Sequence, residues 1–461
     1  MQGPNEQRTI IREHAGVYHG IIIGATYQFE KNFNVHVPES FYNALHQCIQ
    51  DHPFFSVVVE DMHTDKSYYR SVPEITLRNH VDIVASEADN DESATIKRTL
   101  EEHLQGTWSP GIPPWKIIVL PLQETCFIGF CFSHTIGDGP TGLAFHRSFQ
   151  RGCGRRSDDL RGVIQCPILR FPGPFDTPER LPISWGYLLS PFIAQFLPAI
   201  LAKSLGMKAS VSPVDSSTWL GAKIPSIEEA SYVSSRLTLR EVQPQILLNA
   251  LQQARKRDAK FTGLFVHCVG RALSQLVTDR KFTNFVNQTA INMRGSIGIP
   301  QDEAGEYVSG TYIRYDRHKS ETDFDEEDWK EVRIHTLHLA ECASRLEDQA
   351  IGLLRYVSSV RKWMMEKFSQ SRDGSYEVSN IGAVHGASAE TGLPQQTKFV
   401  FAQPGHVLSA PLAFNLVSVK GGPLVYTVTW QAGALGIGDH SEEDFVAQVC
   451  ALIEMDLQNL A

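Results

Sequence analysis

The chain has 461 residues, 42 Lys and Arg against 52 Asp and Glu, and a formal net charge of -10. That length accommodates two domains of ordinary size, and the composition is that of a water-soluble globular protein. The acidic balance excludes nucleic acid as a partner, because phosphates require a basic footprint.

The first twenty residues lack an apolar core and are not expected to act as a secretory signal. Tyr18 to Phe29 reads as a first strand. Ser40 to Gln50 reads as a helix, with Phe41, Leu45 and Ile49 on one face and His52-Pro53 as its stop. Phe54 to Val59 and Ile75 to Ile83 are expected strands, Ala94 to Gln105 a helix, and Trp115 to Leu122 a strand that turns through Gln123-Glu124.

Cys126 to Phe132 is an unbroken apolar run, too short to span a membrane and too aromatic for a loop, so it reads as a strand buried on both faces. It stops at Ser133-His134, and Gly137-Asp138-Gly139-Pro140 then makes a dense turn into a helix over Thr141 to Phe149. The glycines point to demanding backbone angles. A histidine beside an apolar strand is often a core residue. It is also the side chain best suited to act as a base near neutral pH.

From Arg151 to about Ser234 the periodicity breaks down, with prolines at 167, 172, 174, 178 and 182 marking a connector. Within it, Ile183 to Leu205 is the most hydrophobic stretch of the chain. Pro191, Pro198 and Gln195 interrupt it, so it is no transmembrane helix. It reads as a helical element packed on the body over an acceptor pocket, with a membrane-surface segment as the alternative.

In the second half, Val242 to Gln253 and Thr262 to Leu276 are expected helices, the latter capped by Thr262 and carrying a core stripe of Phe265, Val269, Leu273 and Leu276. Thr289 to Gly295 is a strand ending in Asn292-Met293-Arg294. The acidic run Glu321 to Asp328 reads as solvated, Trp329 to Lys367 as long helices, and His335 and His338 as helix-surface residues rather than metal ligands. Tyr376 to Gly382, Lys398 to Ala402, Leu412 to Val419 and Leu424 to Trp430 are strands. Ser441-Glu442-Glu443-Asp444 then has the form of a capping box opening the last helix. The eight cysteines show no paired spacing and read as reduced core residues of a cytoplasmic protein; no metal cluster is evident.

His134-Thr135-Ile136-Gly137-Asp138-Gly139 matches the HxxxDG motif of the acyltransferase superfamily that includes chloramphenicol acetyltransferase, plant BAHD enzymes and peptide-synthetase condensation domains. Asn292-x-Arg294, Ser379-Asn380-Ile381-Gly382 and Gln431-Ala432-Gly433 extend the match, and the chain most resembles the fungal alcohol acetyltransferases over nearly its whole length. The Asp-Phe-Gly-Trp-Gly motif of the plant branch is replaced by Lys398-Phe399-Val400-Phe401-Ala402.

The resemblance implies an α/β fold with mixed sheets, built as two chloramphenicol acetyltransferase-like domains with the active-site tunnel at their interface. The expected boundaries are 1–165, a connector over 166–234, and 235–461. It implies acyl transfer, acetyl in the first instance, from acyl-CoA as co-substrate to an alcohol or hydroxylated natural product, as in secondary metabolism. No cofactor would be permanently bound, and a monomer would suffice. His134 would be the general base in a ternary complex. Arg294 would pair with Asp138, and with Gly139 this pair would support the site. Asn380, Thr429 and Trp430 are candidates for binding substrate or the oxyanion. Transfer to an amine, condensation on a carrier-bound acyl group, and a catalytically silent binding relative are the alternatives.

Overall fold

The apolar run Cys126–Phe132 is the middle strand of a five-stranded sheet, and every residue in it is buried. A strand with apolar side chains on both faces has to be covered on both, and the rest of the first half is arranged to do this. The computed structural model describes residues 2–85, 91–154, 162–167, 171–194, 211–230, 234–317, 324–385 and 393–460. Across the first sheet the order is Gln395–Ala402, Ile21–Gln28, Cys126–Phe132, Trp115–Pro121 and Val81–Ile83, with only the last pair parallel.

One face of this sheet carries the helices Tyr42–Asp51 and Gly139–Cys153, which also pack on each other. Phe130 and Phe145 stack there at 3.8 Å between ring centroids, and Phe41, Leu45 and Phe149 close the cluster. The other face carries the helix Glu92–Leu104. Ile96, Leu100 and Leu104 meet Ile118, Leu120 and Val400 of this sheet together with Leu237 and Val425 of the second. That shared apolar cluster joins the two halves. The edge strand Gln395–Ala402 binds them again, since it comes from the second half of the sequence yet pairs with Ile21–Gln28.

The second sheet has six strands in the order Val308–Asp316, Asn284–Asn292, Tyr376–Val384, Leu412–Val419, Leu424–Gln431 and Ser235–Val242. It is mixed: Tyr376–Val384 runs parallel to both of its neighbours. The helices Phe261–Leu276, Pro244–Lys256, Glu326–Ser344 and Glu442–Asn459 cover it, with Phe265, Val269 and Leu273 wholly buried as the stripe requires. Ser441 caps the last helix by accepting from Asp444 N at 3.1 Å. Among the described residues no helix is long and apolar enough to cross a membrane.

Several local expectations are corrected. Phe54 to Val59 begins as a 3-10 turn, Pro53–Ser56, before the strand Val57–Glu60. Val242 ends a strand, and the helix starts only at Pro244, whose fixed φ and missing N–H suit the first turn. Lys260, not Thr262, is the N-cap of the next helix, and Thr262 Oγ1 accepts from Asn380 instead. The long helix ends at Ser344 and is followed by the 3-10 segment Ala350–Tyr356 and the short helix Val360–Met365. The strand Val308–Asp316 has no counterpart in the sequence reading.

Asp328 is no solvated residue: it is 2 % exposed as a side chain, 2.7 Å from Arg271 Nη1 and 2.8 Å from His267 Nε2. His335 is likewise buried at the helix–sheet boundary rather than on the surface. All eight cysteines are unpaired, and six of them are buried. In the hydrophobic connector, Trp185–Ala194 is helical with Trp185, Leu189 and Ile193 exposed, and Ser184 is held by two hydrogen bonds to Asp348. The rest of that stretch, from residue 195, lies outside the described residues, as does 321–323 of the acidic run.

Candidate active site

His134 follows directly from the end of the buried strand, so the sheet fixes its backbone. Ser133 N donates to Pro114 O at 2.8 Å, Ile136 N to Ser133 O at 3.1 Å, and Thr135 N to Ser133 Oγ at 3.0 Å, which tightens the turn around the imidazole. Tyr69 OH donates to Thr135 O at 2.5 Å from the far side. Ser133 Oγ also donates to the carboxyl of Glu13. Burial pushes the Glu13 pKa up to about 7, against the opposing pull of that hydrogen bond.

The next turn is organised by Asp138. It is the N-cap of the helix Gly139–Cys153, accepting from Thr141 N at 3.2 Å, and Thr141 Oγ1 in turn accepts from Asp138 N. Arg294 crosses from the second half and donates from Nη1 to Oδ2 and from Nη2 to Oδ1, both at 2.7 Å. Tyr307 N also donates to Asp138 Oδ2 at 3.1 Å, while Arg294 Nε and Nη2 donate onward to the carbonyls of Glu303 and Gly305 at 3.0 Å. Both side chains are essentially inaccessible, at 0 % and 1 %. Burial alone would pull the Arg294 pKa down; the Asp138 charge and hydrogen bonds outweigh it, and the net direction is upward.

Gly137 and Gly139 do not adopt the left-handed backbone that their positions suggested. Space explains them instead. A Cβ on Gly139 would lie 2.6 Å from Ile381 Cγ2, and one on Gly137 would lie 2.5 Å from Thr141 Oγ1. Gly139 is therefore where the first-half helix touches the strand Tyr376–Val384 of the second half.

His134 opens onto a cavity of about 500 Å³ walled by both halves. Its Nδ1 lies 2.8 Å from Glu306 Oε2, with the two side chains 16 % and 2 % exposed. The separation is that of a hydrogen bond but the alignment is not, so the contact is a close charge–ring approach. Nε2 has no hydrogen-bond partner among the described residues. Tyr18 lies against the ring, with centroids 5.4 Å apart. Its hydroxyl donates to Gln403 Oε1 at 2.7 Å, and Gln403 donates on to Asn415 at 2.5 Å. Deeper in the wall, Glu377 lies 3.3 Å from His406 Nε2; burial raises its pKa, but His406, Arg12 and Gln403 together bring it down to about 2.

Three sequence candidates are placed outside this cavity. Asn380 Nδ2 donates to Thr262 Oγ1 at 3.0 Å and its Oδ1 accepts from Gly382 N at 2.9 Å, forming a local bulge where Gly382 has φ +87°. Thr429 is wholly buried, and Trp430 Nε1 donates to Glu442 Oε2 at 3.2 Å. The cavity wall is supplied instead by Glu377 and Ser379 of the same strand. Adjacent strand residues face opposite ways, so the Ser-Asn pair could present only one member to the cavity. Glu306 and the helix Pro4–His14 have no counterpart in the sequence reading, and Tyr18, expected as a strand residue, precedes the strand Ile21–Gln28 and faces the cavity instead; Glu306 lies in a loop with no periodicity to mark it.

The family model described as alcohol acetyltransferase matches residues 3–455. A curated relative from Fusarium pseudograminearum, named "Probable alcohol acetyltransferase FCK4", is 24 % identical over 398 residues, covering 79 % of this chain and 76 % of its own length. Among solved structures, the TRI3 trichothecene 15-O-acetyltransferase of Fusarium sporotrichioides superposes with a TM-score of 0.69 at 13 % identity, covering 100 % of this chain and 94 % of its own. The starter condensation domain of the rhizomide synthetase RzmA, solved with C8-CoA and Leu-SNAC, superposes with a TM-score of 0.62 at 11 % identity, covering 100 % and 94 %. These likenesses establish the two-lobed, chloramphenicol acetyltransferase-like fold.

Proposed function

The chain belongs to the alcohol acetyltransferase family and is an acyltransferase, and from that premise we propose that it moves an acetyl group from acetyl-CoA to the hydroxyl of a small acceptor. The observation that carries this reading is His134 on the cavity at the junction of the halves, with Nδ1 against Glu306 and no hydrogen bond to Nε2 among the described residues. A carboxylate beside Nδ1 favours the tautomer whose proton sits on Nδ1, which leaves Nε2 as the acceptor.

In the ternary complex the acceptor's O–H proton passes to His134 Nε2 while the oxygen forms a bond to the thioester carbon. The tetrahedral intermediate then collapses, the carbon–sulfur bond breaks, and the Nε2 proton leaves with the thiolate of CoA. No serine or cysteine nucleophile is required. Ser379 is the hydroxyl on the cavity wall beside the displaced Asn380, and we assign it the oxyanion in place of Asn380, Thr429 and Trp430. Asp138 and Arg294 act on the turn rather than on substrate. The domain division at 165 and 235 is retained as a proposal, with Gln395–Ala402 as a strand lent across it.

The test is mass-spectrometric detection of acetylated product from acetyl-CoA and a panel of alcohols, hydroxylated natural products and amines, with His134→Ala as control. Ester formation lost in the variant supports the reading. Products formed only on amines, or equal turnover by His134→Ala, would overturn it.

A further inference from the structure

Arg8 and Arg12 are four residues apart on the helix Pro4–His14, hence on one face, and both line the cavity that holds His134. Each guanidinium is a planar fork of five N–H donors that stays charged in water. Among the described residues neither forms a hydrogen bond or an ion pair. Arg8 Nε is buried without a hydrogen-bond partner, and Arg12 lies over the Tyr18 ring, with Cζ 4.1 Å from its centroid.

None of the described carboxylates of the same cavity forms an ion pair with Arg8 or Arg12, although Glu306 keeps both oxygens without a hydrogen bond. Glu306 lies 2.8 Å from His134, Glu377 3.3 Å from His406, Asp373 3.0 Å from Lys367, and Asp138 2.7 Å from Arg294. Burial lowers the Arg12 pKa, and the like charge of Arg8 adds to that, while Tyr18, Glu377 and Glu306 oppose it. Two like charges side by side in a partly dry wall, with their donors unmet, are costly unless an anion completes them. Carboxylate and phosphate are the groups that match the fork.

Position distinguishes the source. Tyr18 is the spacer, with Arg12 on its face and His134 5.4 Å from it between ring centroids. The anion seat is therefore one aromatic ring from the base. In acetyl-CoA the whole pantetheine arm separates the phosphates from the thioester, which is far too long for that gap. We propose that Arg8 and Arg12 hold a carboxylate carried by the acceptor itself, so that the preferred acceptor is a hydroxy acid. Val17, Ile21, Val308 and Leu354 line the same cavity and suit an apolar skeleton between its two polar ends. This inference rests on the O-acyl transfer reading above.

The test compares hydroxy fatty acids and hydroxybenzoates with their methyl esters as thermal stabilisers of the full chain, with acetyl-CoA titrated separately. The acids should bind roughly tenfold to a hundredfold more tightly than the esters, the range expected of charge-assisted hydrogen bonds. Arg8→Gln and Arg12→Gln should each remove that preference, Arg12→Lys should keep part of it, and acetyl-CoA affinity should not change. Should Arg12→Gln fail to fold for want of its contact with Tyr18, Arg8→Gln carries the test. Esters binding as well as acids, no stabilisation by either, or arginine variants that weaken acetyl-CoA instead would each overturn the proposal. Turnover separates the two readings: acetylation of neutral alcohols without preference for acids ends this one alone, and acid binding without any acetyl transfer ends only the other.

Discussion

Glu306 Oε2 stands 2.8 Å from His134 Nδ1, although 172 positions separate the two residues and they belong to different halves of the chain. The proposed base and the carboxylate beside its Nδ1 are thus brought together only by the packing of the two halves. The Asp138–Arg294 pair at 2.7 Å holds the same closure a few residues away.

Glu306→Gln should lower kcat by about 10- to 100-fold with little change in KM, because it removes the charge beside Nδ1 that favours the tautomer with Nε2 free to accept, rather than a contact with substrate. Steady-state kinetics on an accepted alcohol checks this. A change confined to KM would assign Glu306 to substrate binding instead.

Asp138→Ala and Arg294→Ala should each destabilise the fold by about 3–5 kcal/mol, since each leaves a buried charge unpaired. The double variant Asp138→Ala/Arg294→Met should be less destabilised than the sum of the singles. Denaturant unfolding measures all three. Loss of turnover at an unchanged melting temperature would contradict the structural role.

Gly139→Ala places a methyl 2.6 Å from Ile381 Cγ2 and should cost roughly 1–3 kcal/mol, as overpacking does. Ile381→Ala removes the opposing atom, so Gly139→Ala/Ile381→Ala should recover stability and activity together. Failure of that rescue would mean that the close approach to Ile381 does not account for the glycine at 139.

Stability should fall as pH drops from about 6.5 to 4. Burial, the leading cause in each case, lowers the pKa of His52, His80 and His146 to about 4 and of His335 to about 3. The unfolded chain takes up these protons first, so acid favours it. Glu6 and Glu13, raised by burial to about 7, act in the opposite sense: they stabilise the fold below their unfolded range, and that contribution is lost as pH rises through 7. Among the groups displaced furthest, four imidazoles outweigh two carboxyls; Asp176, Glu303 and Asp456, also raised by burial, act with the carboxyls, and His14 and His19, also lowered by burial, act with the imidazoles. Melting temperatures across this range test the sign, and Glu13→Gln should steepen the acid loss.

Patterns that depend on near neighbours were legible from residue order. The doubly buried strand Cys126–Phe132, the helix stripe at Phe265, Val269 and Leu273, the Ser441 cap and the position of His134 all follow from periodicity or turn chemistry, which act within a few residues. Resemblance to known acyltransferases supplied the partnership of Asp138 with Arg294, which spacing alone could not have yielded. Folding decided the rest. Strand parity and a bulge placed Ser379 rather than Asn380 on the cavity wall. Burial turned Asp328 and His335 inward, and the docking of the first helix brought Arg8 and Arg12 to the cavity. Each of these depends on which distant segments meet, and side-chain order along a strand or helix carries no record of the surface that will cover it.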